Sequence, residues 1–437
     1  MTEHQTPTEV LDFRGHDIFL IPSRNNSVLL YAPTLRKLLR ITARLAARIS
    51  EEGLPKEPAY PGIRGVANLL ESALSTDAIQ PFQLSHRPSR YFHLALGLTR
   101  NCTLQCLYCH ADAGQAEAMP QNVVEKAVQY AFDSARTNHL KGINVSFAVG
   151  GEPTSDWEAF TFCIHLIKEK ETEYKIPARL SMTTNGYYGQ RRREFIAEKF
   201  YSVLLSLDGS PEIQNLHRPT RTGTESYSLC SETARFFAKA VKSFSIRSTV
   251  SDKSVAKMPE IVRFFHAEFG NQYDLVFEPL VPLGRAIFNQ VQLKEPGQEE
   301  FVTNYIAARE LGSTLGLAVR TSAANHKRLV TSFCGAMSIP SFTVTTKGVV
   351  TTCERDSEGT SYAYGEFSPQ LDAFVLHEDC MRRNAVQHMP EECHRCFCKW
   401  HCAGDCPDVR NIGYNRCFVN RSLMLYELET ILNTGAT

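Results

Sequence analysis

An α/β fold built on a parallel sheet, with a small N-terminal α/β module and a cysteine-rich C-terminal region, follows from three observations. From residue 91 strand-like and helix-like segments alternate six times, residues 17–32 read as two short apolar runs around an Asn-rich turn, and nine of the fourteen cysteines lie beyond residue 330. Strand–helix units in succession mean a parallel sheet, because parallel neighbours need crossover connections. At 437 residues the chain is long enough for two or three domains of roughly 100 to 200 residues each. We divide it into residues 1–90, 91–320 and 321–437.

Within the first segment, DIFLIPSRNNSVLLYA gives two strands and a turn, and LRKLLRITARLAARI has helical spacing with basic residues interleaved. The stretch from Glu51 to Pro61, rich in Pro, Gly and Glu, marks a loop. In the second segment YFHLALGL, INVSFAV, ARLSMTT, VLLSLD, SIRSTV and DLVFEPL are the strands. One helix is signalled by Pro120 at its start, and others are expected near 157–172, 191–200, 225–240 and 258–267. Six such units are expected to curl into a partial barrel, with the chemistry at the C-terminal ends of the strands. Beyond about residue 320 the pattern is irregular and loop-heavy, as in a region organised by metal rather than by a large core.

The 47 basic and 47 acidic residues balance, which leaves no whole-chain electrostatic footprint for nucleic acid or an anionic membrane. No apolar run approaches the roughly 20 residues that span a bilayer. MTEHQTPTEVLDFRGHD has neither the basic start nor the apolar stretch of a secretory signal, so a cytoplasmic location is expected. Cysteines in a reducing compartment point to metal rather than to disulfides.

Cys102, Cys106 and Cys109 form C-x3-C-x2-C, three thiolates for a cubane 4Fe-4S cluster that leaves one iron open to a cofactor or substrate. The competing reading is a structural zinc site with His110 as fourth ligand. Other strand ends carry matching loops: GGEP at Gly150 to Pro153, TTNG at 183–186 and SLDG at 206–209. Gly150 and Gly151 let backbone approach a ligand, and Glu152 offers a carboxylate.

CTLQCLYC, with the aromatic Tyr108 before the last cysteine, resembles the signature of the radical S-adenosylmethionine (SAM) superfamily. The resemblance implies that the open iron chelates the amino and carboxylate groups of SAM, whose reductive cleavage gives a 5'-deoxyadenosyl radical. It implies further that Tyr108 belongs to the cofactor site and that Gly150, Gly151 and Glu152 bind the SAM amino group. Ser206 would contact ribose or carboxylate. Asp208, Arg218 in HRP and Arg247 in SIRSTV would pair with SAM or with substrate, against the plain alternative of ordinary ion pairing.

Further on, Cys334, Gly348 and Cys353 are followed by Cys393, Cys396, Cys402 and Cys406 in C-x2-C-x5-C-x3-C, and by Cys417. This order resembles the SPASM extension of radical SAM enzymes, which implies two auxiliary 4Fe-4S clusters. Cys393, Cys396, Cys402 and Cys417 would complete one. Cys334, Cys353 and Cys406 would hold the other with one iron open, since GAMSIPSFTV after Cys334 supplies no further cysteine. Cys380 and Cys398 are candidates for a stray ligand, and these two with Cys163 and Cys230 read otherwise as packed small apolar residues. From spacing alone, residues 393–406 also fit zinc.

The resemblance implies an enzyme that abstracts a hydrogen atom from a ribosomally made precursor peptide and closes a thioether or carbon–carbon crosslink. Its partners would be the precursor with its leader and a reducing donor such as flavodoxin or ferredoxin. Residues 1–90 would either grip the leader by edge-strand pairing or brace the barrel. The alternatives are an anaerobic sulfatase-maturing enzyme and, in another class, a non-catalytic iron–sulfur or zinc regulatory protein. Glu354 and Asp356 beside Cys353 read as surface acids, and no general base is assigned.

Overall fold

The computed structural model describes residues 8–55, 60–76, 78–79, 89–335, 341–385 and 389–434. The chain divides into two compact units, neither continuous in sequence. One draws on the segment up to residue 87, residues 323–334 and the chain from 387 onward; the other comprises 88–322 and 335–386. Three sequence segments thus map onto two packing units.

In the first unit β1 (Glu9–Phe13), β2 (His16–Pro22), β3 (Ser27–Ala32) and β4 (Lys37–Thr42) form an antiparallel sheet in that order. Asn25 and Asn26 turn the β2–β3 hairpin with φ of 58° and 53°, a left-handed conformation that Asn tolerates. Apolar residues stand at both parities of β2 and β3, so both faces must be covered. Ile18, Leu20, Leu30 and Ala32 lie under α1 (Ala43–Glu52) and α2 (Pro61–Thr76). Phe19, Ile21, Leu29 and Tyr31 pack on the other side with Ala324, Phe397, Trp400, Met424 and Leu428. The expected helix over 35–49 is a correction: it begins only at Ala43, and the preceding residues form β4. Leu39 and Ile41 join the helix-covered core and Leu38 the opposite one, so the same apolar residues satisfy a period of two. Thr42 then caps α1, its hydroxyl accepting from Leu45 N at 3.2 Å. In the expected loop Glu51 and Glu52 still belong to α1 and Pro61 opens α2, while residues 56–59 lie outside the described residues.

The second unit is built on one sheet. β5 (Tyr91–Leu96), β6 (Gly142–Phe147), β7 (Ala178–Thr184), β8 (Ser202–Ser206), β9 (Ser243–Val250) and β10 (Asp274–Pro279) run parallel in sequence order. They alternate with α3 (Gln121–Thr137), α4 (Trp157–Tyr174), α5 (Gln190–Lys199), α6 (Pro211–His217), α7 (Tyr227–Ala240) and α8 (Met258–Phe269). This is the partial (βα)6 barrel that the alternation predicts. α9 (Gln298–Thr314) leads to β11 (Ala318–Arg320), which pairs with β10. The region expected to be irregular contributes more strands than its composition shows. β12 (Phe342–Val344) pairs parallel with β5, and β13 (Val349–Thr351), β14 (Ala363–Ser368) and β15 (Ala373–Leu376) continue the sheet antiparallel. α10 (Glu378–Ala385) follows in this unit, whereas α11 (Lys399–Cys402), α12 (Pro407–Asn411) and α13 (Cys417–Thr434) belong to the first. Among the described residues no helix is long and apolar enough to cross a membrane.

Candidate iron–sulfur and cofactor site

The loop leaving β5 carries Cys102, Cys106 and Cys109, and each sulfur accepts one N–H. Asn185 Nδ2 donates to Cys102 Sγ at 3.5 Å, Arg218 Nη1 to Cys106 Sγ at 3.8 Å and the Ala113 backbone to Cys109 Sγ at 3.5 Å. The loop is clasped from two sides. Gln105 N donates to Pro219 O and Leu107 N to His217 O. From the loop after β10, Arg285 donates to the Cys106 and Cys109 region through Cys106 O (3.0 Å) and Asp112 (3.0 Å), and Asn289 to Leu107 O (2.7 Å). Gly284, at φ 55°, comes so close that a Cβ there would stand 2.5 Å from Cys109 O. Burial pushes the Cys102 thiol up to about 12 and that of Cys106 to about 11, Arg218 pulling the latter back.

Three thiols, each with a hydrogen-bond donor at its sulfur, are the donor set a cubane with one open iron requires. Among the described residues no group of three or more His, Cys, Asp or Glu converges on a single metal ion. A cubane holds its cysteines on separate irons and does not need that convergence. His110, the fourth ligand of the zinc reading, lies within electrostatic reach of Arg247 and Arg355.

The strand-end residues sort into two groups. Glu152 is buried, and its carboxylate accepts from Thr154 N (3.2 Å), Thr154 Oγ1 (2.8 Å), Thr184 Oγ1 (2.9 Å) and Asn185 N (2.7 Å). It staples the β6 loop to the β7 loop instead of presenting a free carboxylate. Gly151 meets the cysteine loop: Gly151 N donates to Thr99 O, Glu152 N to Asn101 O, and a Cβ on Gly151 would fall 2.1 Å from Asn101 O. The glycines expected to approach a ligand bring the GGEP backbone against the segment entering Cys102. Asp208 is fully buried, accepts from Thr249 N (2.9 Å), His217 Nδ1 (3.1 Å) and Tyr108 OH, and is ion-paired with Arg218, whose Nε lies 3.0 Å away. Burial raises its pKa, but Arg218, His217 and Tyr108 more than reverse this and hold it well below the usual carboxylate range. Tyr108 lies under the Arg218 guanidinium, 5.1 Å from ring centroid to Cζ. Asp208 and Arg218 are therefore engaged with each other, as the ion-pairing alternative has it.

Ser206 and Arg247 form the second group. They are register partners on β8 and β9 and so share one face of the sheet. The Arg247 side chain is exposed. Glu354 reaches β6 by a route that sequence does not reveal. It follows β13, it is densely surrounded while keeping some accessible area, and burial raises its carboxyl pKa against a hydrogen bond from the Ser146 hydroxyl on β6. The expectation of a surface acid is corrected for Glu354. Asp356 instead organises its own turn, accepting from Thr360 N (2.9 Å), Ser361 N (3.1 Å) and Tyr362 N (2.8 Å).

In the first unit Cys393, Cys396, Cys402 and Cys417 come within mutual electrostatic reach. Asp405 and Arg416, both buried, form a two-pronged ion pair at 2.6 and 3.0 Å that fixes the turn between Cys402 and Cys417. Cys334 and Cys406 lie in the first unit and Cys353 in the second. Cys163 is buried on α4, Cys230 is buried and donates to Asn185 O (3.1 Å), and Cys398 is buried and donates to Asn420 O (3.6 Å). Cys380 stands on α10, half-buried.

Residues 96–264 match the family model of the Radical SAM superfamily. The cysteine-type anaerobic sulfatase-maturating enzyme of Clostridium perfringens (strain ATCC 13124) is 26% identical over 168 residues, covering 38% of this chain and 45% of that protein. The chain thus spans less than half the length of the curated relative it matches. Among solved structures, native anSMEcpe with bound AdoMet and Cp18Cys peptide superposes with a TM-score of 0.56 at 18% identity over 77% of this chain and 99% of that one. Streptococcus suis SuiB bound to precursor peptide SuiA gives 0.50 at 13% over 89% and 94%. The likeness to both is one of fold. The matched residues 96–264 include the loop after the first barrel strand, which carries the three cysteines.

Proposed function

We propose that the protein is a radical SAM peptide maturase with SPASM-type auxiliary clusters, which forms a thioether or carbon–carbon crosslink in a ribosomally made precursor. The observation that carries this reading is the trio Cys102, Cys106 and Cys109, each sulfur with its own N–H donor, on a strand-end loop clasped from two sides. When bound there, the cluster with SAM supplies a carbon-centred radical able to take a hydrogen atom. The chain's own residues do the rest. Ser206 and Arg247, sharing a face at the strand ends, would hold the polar groups of SAM, Arg247 pairing with its carboxylate. Glu354 would take the proton that a substrate residue releases as the crosslink closes, its raised pKa suiting it to that transfer. Cys393, Cys396, Cys402 and Cys417, all in the first unit, would hold an auxiliary cluster able to accept the electron. A cytoplasmic electron donor of the flavodoxin or ferredoxin kind would reduce the first. The precursor's leader would add to the β1 edge of the N-terminal sheet.

The similarity over 168 residues to a sulfatase-maturating enzyme supports a second reading, oxidation of a sulfatase active-site residue. Anaerobic reconstitution tests the first step of both: about twelve irons per chain and 5'-deoxyadenosine from SAM and dithionite are expected. Zinc in place of iron with SAM intact would overturn the proposal. Mass spectrometry of the precursor against a sulfatase peptide then separates the two substrates.

A further inference from the structure

We infer that Arg218 sets the reduction potential of the cluster held by Cys102, Cys106 and Cys109, raising it, and that Asp208 counters this effect while fixing the guanidinium in place. The inference rests on the proposed assignment of those three cysteines to a cluster.

The three sulfurs receive unequal donors. Asn185 and the Ala113 backbone bring neutral N–H groups, whereas Arg218 brings a full positive charge, 3.8 Å from Cys106 Sγ. Hydrogen bonds to the sulfurs and nearby net charge are the levers that set an iron–sulfur potential. One-electron reduction adds a unit of negative charge to the cluster, which a cation at the sulfur stabilises. Burial keeps this interaction from being screened, since Arg218 is 7% exposed and Asp208 0%.

The guanidinium is held by a closed chain of partners. Its Nε faces Asp208 Oδ2 at 3.0 Å and its plane lies over the Tyr108 ring. Asp208 is in turn fixed by Tyr108 OH, Thr249 N and His217 Nδ1. His217 Nε2 meets Ser251 Oγ at 3.0 Å, and Asp208, held ionised by the charges around it, can only accept. Nδ1–H therefore donates to Asp208. Every member has a task other than binding SAM, and the chain ends on the sulfur of one cluster ligand. Asp208 is an anion one residue further from the cluster than Arg218, so it partly cancels the cation it orients.

The sign of two substitutions tests this. In an anaerobic, EPR-monitored redox titration of the reconstituted full-length chain, the signal to follow is the one that changes when SAM is added. Arg218→Gln is expected to lower that potential by at least tenfold in the reduction equilibrium, about 59 mV for one electron. Asp208→Asn leaves the cation uncompensated and is expected to raise it, with Arg218→Lys closer to wild type. Opposite shifts at full iron occupancy establish the tuning role. No shift, or shifts of the same sign, in iron-replete protein overturn it and leave the cluster assignment standing. If the Cys102→Ala, Cys106→Ala, Cys109→Ala variant keeps the SAM-sensitive signal, the assignment fails and the inference with it. Should Arg218→Gln not load iron, Asp208→Asn carries the test with the charge-retaining Arg218→Lys as its control: a raised potential supports the inference, and an unchanged or lowered one overturns it.

Discussion

Glu354 shows what a single position gains from the fold. In sequence it is an acid beside a cysteine; in the structure it is paired with Ser146 and crowded enough for its carboxyl pKa to rise above 4.5. A group with a raised pKa is a competent base only above that pKa, so crosslinking should fall as pH drops through it, while SAM cleavage, which needs no base there, should not. Glu354→Gln is expected to cut product formation by 100-fold or more, within the usual 10²–10⁴ contribution of a proton-transfer residue. Deoxyadenosine and crosslinked peptide measured in the same reaction separate the two effects, and equal losses in both would remove Glu354 from the chemistry. Glu152 makes a contrasting prediction. Glu152→Ala leaves buried donors of Thr154, Thr184 and Asn185 without an acceptor, and unpaired buried groups cost about 1–3 kcal/mol each, so a loss of about 3 kcal/mol is expected in denaturant unfolding. Cysteines were legible because spacing alone is their signal. Their donors were not: Asn185 and Arg218 reach the sulfurs from 83 and 112 residues away, and the Arg285 clasp from 179. Among the motifs read from sequence, TTNG at the end of β7 and HRP at the end of α6 were the hints to Asn185 and Arg218.

At the scale of elements, the six barrel strands were readable because each is a short apolar run between helical periods, and burial on both sides leaves little room for another reading. β4 was not, since Leu38, Leu39 and Ile41 fit either period and only pairing with β3 decides between them. The same sheet carries a testable pH dependence. Tyr31 on β3 donates from its hydroxyl to His401 Nε2 at 2.6 Å, and His401 Nδ1 donates to the carbonyls of Asn325 (3.0 Å) and Arg328 (2.9 Å). Nδ1, facing two carbonyls, carries a proton, and burial favours the neutral ring in which Nε2 accepts from Tyr31. Burial lowers its pKa from 6.5 to about 4. The unfolded chain binds a proton as pH falls below about 6.5 and the folded one only near 4, so the stability this group contributes is complete above 6.5 and is lost between 6.5 and 4. A drop of 2.5 pKa units corresponds to about 3 kcal/mol. Thermal unfolding of the first unit should therefore steepen in its pH dependence below 6.5, and His401→Gln should flatten that slope. A wild-type slope that survives the substitution would assign the effect elsewhere.

For the whole molecule, the two-unit organisation changes how leader binding must be tested. Deleting residues 1–90 would strip Phe19, Ile21, Leu29 and Tyr31 from Phe397, Trp400, Met424 and Leu428, the apolar support of the segment holding Cys393, Cys396, Cys402 and Cys417. On the proposed assignment the truncated chain is expected to lose the roughly four irons of that cubane, so weak precursor binding by it would say nothing about grip on the leader. A finer experiment uses the sheet itself. Both faces are covered, and at the β4 edge Arg40 donates to Asn433 of α13, whereas among the described residues no strand pairs with the outer side of β1. A peptide adding there must take the N–H and C=O groups of alternate residues between Glu9 and Phe13, the others being committed to β2. Proline at an outward-facing position removes one bond to the peptide and none to β2. Single proline substitutions along Glu9, Val10, Leu11 and Asp12 should therefore alternate: every second one weakens precursor affinity at least tenfold while iron content and uncoupled SAM cleavage stay at wild type. The intervening ones break the β1–β2 ladder and lower stability as well. Uniform affinity across the iron-replete variants would take the leader away from β1 and leave the N-terminal sheet as the support of the cysteine-rich segment.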